Sequence, residues 1–293
     1  MTRPWRVIDL IDCGDTIHVR QGRLVIGERS VPLADVACIL TGVATQWSGE
    51  LVALAAHHDV VILTCDWRGV PVSATVPWAD NARIAARQQA QAGLSLPRKK
   101  NAWMRIVRAK ILGQASNLEA HDPVSALRLT DLASRVRSGD PNNVEASAAR
   151  TYWARYLPSE RFVRDRDAND RNALLNYGYA IARGMTIRAI AQAGLNPALG
   201  IHHHNRSNPF GLADDLIEPL RPAVDWCVRQ LPKGSSLEQP SVKASLVSVL
   251  SMAMETDGRT VSTCASGLAI SLARYVEGDE SVLTVPKWTA LLG

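Results

Sequence analysis

From about residue 6 to residue 76 the apolar positions come as short runs of Val, Ile and Leu. Turn signals at Cys13-Gly14-Asp15, Gln21-Gly22-Arg23 and Arg68-Gly69 interrupt them, and the pattern predicts strands. Residues 16–19 and 23–26 flank a glycine-containing turn and read as a hairpin. Residues 60–64 form a continuous apolar run suited to a buried strand. Between them, Leu51, Leu54 and Ala55 are spaced to share one face of a short helix over 49–56. This first part reads as a small, mainly β unit.

After Pro77 the pattern changes to long stretches rich in Ala, Leu, Gln and Arg, punctuated at Pro97, Asp140-Pro141, Pro158, Asn196-Pro197, residues 232–234 and Asp257-Gly258. These are helices and their stops. The expected fold is therefore α+β, with a small N-terminal mainly-β domain over 1–77 and a larger all-helical domain over 78–293. A chain of 293 residues, 46% hydrophobic, has ample length to bury a core in each part.

Charge changes this picture in one region. The net charge is only +5, yet residues 81–118 hold Arg83, Arg87, Arg98, Lys99, Lys100, Arg105, Arg108 and Lys110 with no acidic residue. Clustered cations suit a polyanion such as DNA, because counterion release rewards them; a solvated helical face would look the same. The five cysteines are odd in number and far apart, which suggests neither a disulfide framework nor paired zinc ligands and fits a reducing cytoplasm. No apolar run approaches the roughly 18 to 20 residues needed to cross a bilayer, so no membrane association is expected.

Two stretches can carry chemistry. Gly200-Ile201-His202-His203-His204-Asn205 is followed by Gly211-Leu212-Ala213-Asp214-Asp215-Leu216-Ile217-Glu218-Pro219-Leu220-Arg221-Pro222. A helix beginning near Leu212 spaces Asp215 and Glu218 at i, i+3, and Asp214 and Glu218 at i, i+4, so two carboxylates can share a face and grip a divalent cation. The same acidic residues could simply stabilise a helix N-terminus. Pro219 and Pro222 cannot donate to the carbonyls of Asp215 and Glu218, so the helix should be bent there. The other stretch runs from Asp140-Pro141-Asn142-Asn143-Val144-Glu145 to Trp153 and opens a helix; Asn142 as N-cap would put Glu145 at capping-box spacing, a role that needs no chemistry.

Taken together, these stretches resemble the CRISPR-associated protein one family, the spacer-acquisition integrases, over nearly the whole chain. Ile39-Leu40-Thr41-Gly42, Leu63-Thr64-Cys65-Asp66 and Gly69-Val70-Pro71 look like its β-domain. Residues 145–153 and 169–177, then Gly194-Leu195-Asn196-Pro197, residues 200–203 and residues 212–222, look like its helical catalytic domain in order and spacing. The resemblance implies a metal site built from Glu145, His203 and Glu218, holding Mg2+ or Mn2+, with Asp215 as a further acidic candidate. The triple histidine departs from the family pattern: aligning Gly200-Ile201 selects His203, while His202 or His204 could serve instead. Residues 201–203 and 208–215 look more like members from type II systems, in which the effector nuclease also takes part.

The activity implied is metal-dependent transesterification, in which a 3′-hydroxyl of a short DNA fragment attacks a phosphodiester at the edge of a repeat. The implied partners are DNA, as prespacer duplex and CRISPR leader-repeat, a second copy in a homodimer, and a dimer of CRISPR-associated protein two. Arg83, Arg87, Arg98, Lys99 and Lys100, with the arginines of residues 150–171, are the expected path for the DNA backbone. Arg221 and His202 or His204 could contact the scissile phosphate or pair with neighbouring carboxylates. Trp103 and Tyr152 could stack on bases or belong to the core. A nuclease acting on branched DNA would use the same residues, and a non-enzymatic DNA-binding subunit would need only the basic surface. A zinc hydrolase is disfavoured by the absence of a His-Glu-x-x-His spacing.

Overall fold

The structure, a computed structural model, describes residues 6–66, 71–75, 83–160, 162–165, 168, 170–203 and 205–290. The expected turn at Arg68-Gly69, the domain boundary between 77 and 78, the residues Val70, Asn81 and Asn169, and His204 lie outside them.

The early apolar runs become strands β1 (Arg6–Leu10), β2 (Ile17–Arg20), β3 (Arg23–Ile26), β4 (Arg29–Pro32), β5 (Val36–Thr41), β6 (Val61–Cys65) and β7 (Pro71–Thr75). β2, β3 and β4 form an antiparallel meander. Its first turn is Gln21-Gly22, where both residues have positive φ, the backbone that a two-residue hairpin turn requires. The other sheet has the order β1-β5-β6-β7, parallel across β1, β5 and β6 and antiparallel at β7. Helix α1 (Gly49–His57), N-capped by Ser48, links β5 to β6.

β5 is buried along its whole length because the sheet has a core on each side. Ile39 and Ile62 face a core with Leu24 of the meander and Leu51 of α1, while Cys38, Leu40 and Leu63 join the core of the helical part.

That part comprises α2 (Ile84–Ala92), α3 (Leu96–Leu118), α4 (Pro123–Arg135), α5 (Val144–Tyr156), α6 (Arg171–Gln192), α7 (Gly211–Leu216), α8 (Arg221–Gln230), α9 (Pro240–Ser248) and α10 (Val261–Glu277). The fold is α+β as expected, strands first and helices after. α6 is buried on nearly every side, its polar Arg171, Asn172, Thr186 and Arg188 included, and runs through the middle of the molecule. Gly184 lets α6 lie directly on the sheet, since a Cβ there would come within 2.7 Å of Leu63 Cδ1 and 3.0 Å of Cys38 Sγ.

The bend expected from the two prolines is present. α7 stops at Leu216, one 3-10 turn spans Glu218–Leu220, and α8 starts at Arg221. All five cysteines are free thiols. Among the described residues, no helix is long and apolar enough to cross a membrane.

Candidate active site

The site is assembled on one face of α3. Trp103 and Lys110 are seven residues apart, two helical turns, and so project from the same side. Trp103, 2% exposed, supports the histidine segment; Lys110 meets the glutamates.

Glu145 enters from the first turn of α5. The expected capping box on Asn142 is not formed: the helix begins at Val144, and Asn143, with φ of 49°, makes no side-chain cap. Asp140 does this work instead, its carboxylate accepting from the Val144 and Glu145 backbone N–H groups at 2.9 Å each. Glu145 is thereby released from capping, and its Oε1 sits 2.6 Å from Lys110 Nζ.

Glu218 comes from the 3-10 turn. Asp214, in α7, pairs with Arg183 and Asn208. The i, i+4 pairing expected for Asp214 and Glu218 is therefore not formed. Glu218 Oε1 accepts from Arg221 Nε at 2.8 Å, and its Oε2 lies 2.6 Å from Lys110 Nζ. Burial pushes this carboxyl up, but Arg221 and Lys110 outweigh it and hold the group at about 2. Oε2 has no hydrogen bond of acceptable geometry, so its contact with Lys110 is ionic. Burial pushes the Lys110 ammonium toward losing its proton, and Glu218 and Glu145 more than reverse this, raising it overall.

Asp215 faces elsewhere. Fully buried, it accepts from the backbone N–H groups of Ile201 (2.5 Å), His202 (3.0 Å) and His203 (3.2 Å), and from His203 Nδ1 at 2.7 Å. Gly200 is required for this wrap, because a Cβ there would lie 2.4 Å from the His203 carbonyl oxygen and 3.1 Å from Asp215 Oδ2. An ionised carboxylate only accepts, so Nδ1 carries the proton and Nε2 is the lone-pair nitrogen. The hydrogen bond to Asp215 raises the His203 imidazole above its ordinary value, against the opposing pull of burial. Glu218 lies within electrostatic reach of the same ring. His202 stacks flat on Trp103, with 4.1 Å between ring centroids and 2° between planes.

Other residues singled out in the sequence have structural partners. Arg221 pairs with Glu218 and lies over the Tyr179 ring at 4.5 Å. Trp103 and Tyr152 are core residues, Tyr152 fully buried. Arg83 and Arg87 both pair with Glu277 of α10, and Arg87 also donates to the Ala193 carbonyl. Arg98 donates to the Tyr275 and Glu280 carbonyls, while Lys99 is half-buried and Lys100 exposed. Arg171, placed on the DNA path by sequence, is buried against Glu160 and the carbonyls of Val228 and Leu231.

The sequence reading missed the layer behind Arg221. Asp225 is buried, and desolvation lifts its carboxyl to about 6 although Tyr179 and Tyr152 hydrogen-bond it. Tyr179 contacts its side chain, and the Tyr156 hydroxyl donates to its backbone carbonyl at 2.7 Å. It missed Lys110 as well, counted only among the basic residues; its two-turn spacing from Trp103 was the available signal.

Among the described residues, no three His, Cys, Asp or Glu side chains converge on one point. Two carboxylates do, from different elements and around a single positive charge. Carboxylate oxygens of this kind suit a hard cation such as Mg2+ or Mn2+, and His203 is felt electrostatically by Glu218 without joining the two glutamates at one point.

The chain as a whole is similar to known proteins. Residues 10–260 match the family model for CRISPR associated protein Cas1. The chain is 38% identical over 271 residues to a CRISPR-associated endonuclease Cas1 of Neisseria meningitidis serogroup C (strain 8013), covering 89% of this chain and 88% of that protein. A Cas1 protein from Thermotoga maritima has the same fold, with a TM-score of 0.75 at 17% identity over 96% of this chain and 100% of that one. A casposase bound to integration product superposes with a TM-score of 0.72 at 19% identity, over 97% and 94% of the two chains. With a family match across most of its length and the expected glutamates brought together in a Cas1 fold, this chain belongs to the CRISPR-associated protein Cas1 family.

Proposed function

We propose that this protein is a metal-dependent DNA integrase that inserts short foreign DNA fragments into a CRISPR array. The observation that carries the reading is the meeting of Glu145 and Glu218, 73 positions apart in sequence, at one cation, each 2.6 Å from Lys110 Nζ. Membership of the family and the likeness to a casposase bound to integration product support it.

Glu145, Glu218 and His203 Nε2 would hold Mg2+ or Mn2+. The bound ion would lower the pKa of the attacking hydroxyl and offset charge on the phosphorus. Asp215 fixes the His203 tautomer and the course of residues 201–203. Arg221 holds Glu218 ionised and in place. In the reaction, the 3′-oxygen of the incoming fragment forms a new bond to phosphorus as one P–O bond of the repeat strand breaks. The number of phosphodiesters is unchanged, and the proton released by the attacking hydroxyl is balanced by one taken up on the displaced strand's oxygen, which becomes a new hydroxyl.

The partners we propose are the prespacer duplex and leader-repeat DNA, a second copy of this chain, and a dimer of CRISPR-associated protein two. A solved complex of a Cas6-RT-Cas1 protein with Cas2 and another of a TtCas1 with DNA are consistent with these. The Neisseria meningitidis relative is consistent with a type II origin, where the effector nuclease would also take part. The protein would act in the cytoplasm. The test is strand transfer of a labelled 3′-hydroxyl duplex into a repeat-bearing plasmid: joined product supports the proposal, cleavage without joining indicates a nuclease, and binding alone indicates a DNA-binding subunit.

A further inference from the structure

Lys110 occupies the point where the two glutamates meet, and no role in the proposed reaction has been given to it. Its ammonium is 2.6 Å from Glu145 Oε1 and 2.6 Å from Glu218 Oε2, with a side chain only 14% exposed. Without it, two carboxylates would face each other in a partly closed space, with Arg221 engaging only the far oxygen of Glu218. Lys110 therefore supplies the charge that lets them converge. Its contact with Glu218 Oε2 is a close ion pair that another cation placed between the glutamates would have to replace. α3 itself is anchored at this level, since Gly113, one turn on, packs against Pro222 and Trp288. Any exchange thus falls on the four-carbon lysine side chain rather than on the helix.

We propose that Lys110 is a resident counter-cation, a positioning residue that holds Glu145 and Glu218 together in the metal-free protein and is displaced when a divalent ion binds between them. This rests on the metal-dependent reading above. Charge counting gives the direction: Lys110 and Arg221 already balance Glu145 and Glu218, so a divalent ion must compete with an ammonium in contact with both of its ligands. Removing that ammonium should tighten divalent binding. A merely structural lysine would do the reverse, since disordering the glutamates weakens any site they form.

The experiment is a Mn2+ titration of the full-length protein, read by the electron paramagnetic resonance signal of free Mn2+, for wild type, Lys110→Met and Lys110→Arg. The expected result is binding on the order of tenfold or more tighter in Lys110→Met, from loss of one competing charge, and wild-type binding in Lys110→Arg. Lys110→Met should also melt at a lower temperature than wild type in chelator and recover most of that loss with Mn2+. A second measurement needs no variant: reductive methylation of wild-type protein, read by mass spectrometry, should find Lys110 protected in chelator and reactive with Mn2+. Equal or weaker Mn2+ binding in Lys110→Met, or a Lys110 that stays protected when Mn2+ is bound, overturns the displacement and leaves the metal reading intact. Absence of Mn2+ binding in wild type and Lys110→Met alike overturns both. If Lys110→Met fails to fold, the methylation result stands as the test.

Discussion

Replacing Asp215 by Asn changes one atom and should be felt in two ways. The carboxylate accepts four hydrogen bonds, two on each oxygen, from the Ile201, His202 and His203 backbone and the His203 ring. Asn keeps a single oxygen, enough for the Ile201 and His202 N–H groups. Its NH2 must then face His203, where the ring can adapt by moving its proton to Nε2 and accepting at Nδ1. The His203 backbone N–H, 3.2 Å away, cannot adapt and loses its partner. One lost buried hydrogen bond, with the remaining ones weakened from charge-assisted to neutral, amounts to about 2–4 kcal/mol. Equilibrium urea unfolding followed by circular dichroism would read that loss. Nitrogen NMR of the imidazoles would read the tautomer, Nδ1–H in wild type and Nε2–H in Asp215→Asn, with the ring titrating at lower pH. A loss below about 0.5 kcal/mol, with the tautomer unchanged, would refute the assignment of Asp215 as the clamp of the histidine segment.

Four further outcomes follow from other parts of the structure. Asp225 has a folded-state value of about 6 against an ordinary 3.8. Its protonated form therefore favours the fold, a contribution complete below pH 3.8 and lost as pH rises through 6. The difference is worth about 3 kcal/mol. Wild-type stability should decline across that window relative to Asp225→Asn, and parallel curves would exclude the effect. Gly200→Ala drives a Cβ into the His203 carbonyl and should cost about 1–3 kcal/mol, seen as a lower unfolding midpoint together with a shifted His203 ring resonance. Among the basic residues, Arg83→Ala with Lys100→Ala, both at exposed positions, should flatten the slope of log affinity for duplex DNA against log salt by about 2. Arg87→Ala, whose guanidinium ties α2 to Glu277 and the Ala193 carbonyl, should instead lower the melting temperature.

The strands, the hairpin turn and α1 were legible in the sequence because each is set by local pattern: short apolar runs bounded by turn signals, a glycine-containing turn, and a short apolar face. The broken helix at residues 216–221 was legible too, since a missing proline N–H is a local fact. What sequence spacing could not give is which carboxylate faces which partner. Asp214, Asp215 and Glu218 sit within five residues, yet one pairs with Arg183, one wraps the histidine segment and one meets Lys110. Each found its partner on a different, sequence-distant element, which spacing within residues 214–218 does not reveal. The cap of α5 was misread for a related reason: Asp140 reaches over a loop with two left-handed residues, Asp140 and Asn143, which no fixed capping offset describes. The basic window looked uniform in sequence, but tertiary packing split it. Lys110 went to the glutamates, Arg87 and Arg98 to α10 and its following turn, and Arg108 to the Val136 carbonyl.

The central claim, that Glu145, Glu218 and His203 together perform strand transfer, is tested most directly with purified protein, with and without a dimer of CRISPR-associated protein two. The substrates are a labelled duplex carrying 3′-hydroxyl ends and a supercoiled repeat-bearing plasmid, with Mg2+ or Mn2+ supplied. Label is expected to be joined to plasmid at a repeat boundary and to be lost with chelator and in Glu145→Ala, Glu218→Gln and His203→Ala, while each variant still binds DNA. Joining that survives chelator or any one of these substitutions would contradict the claim.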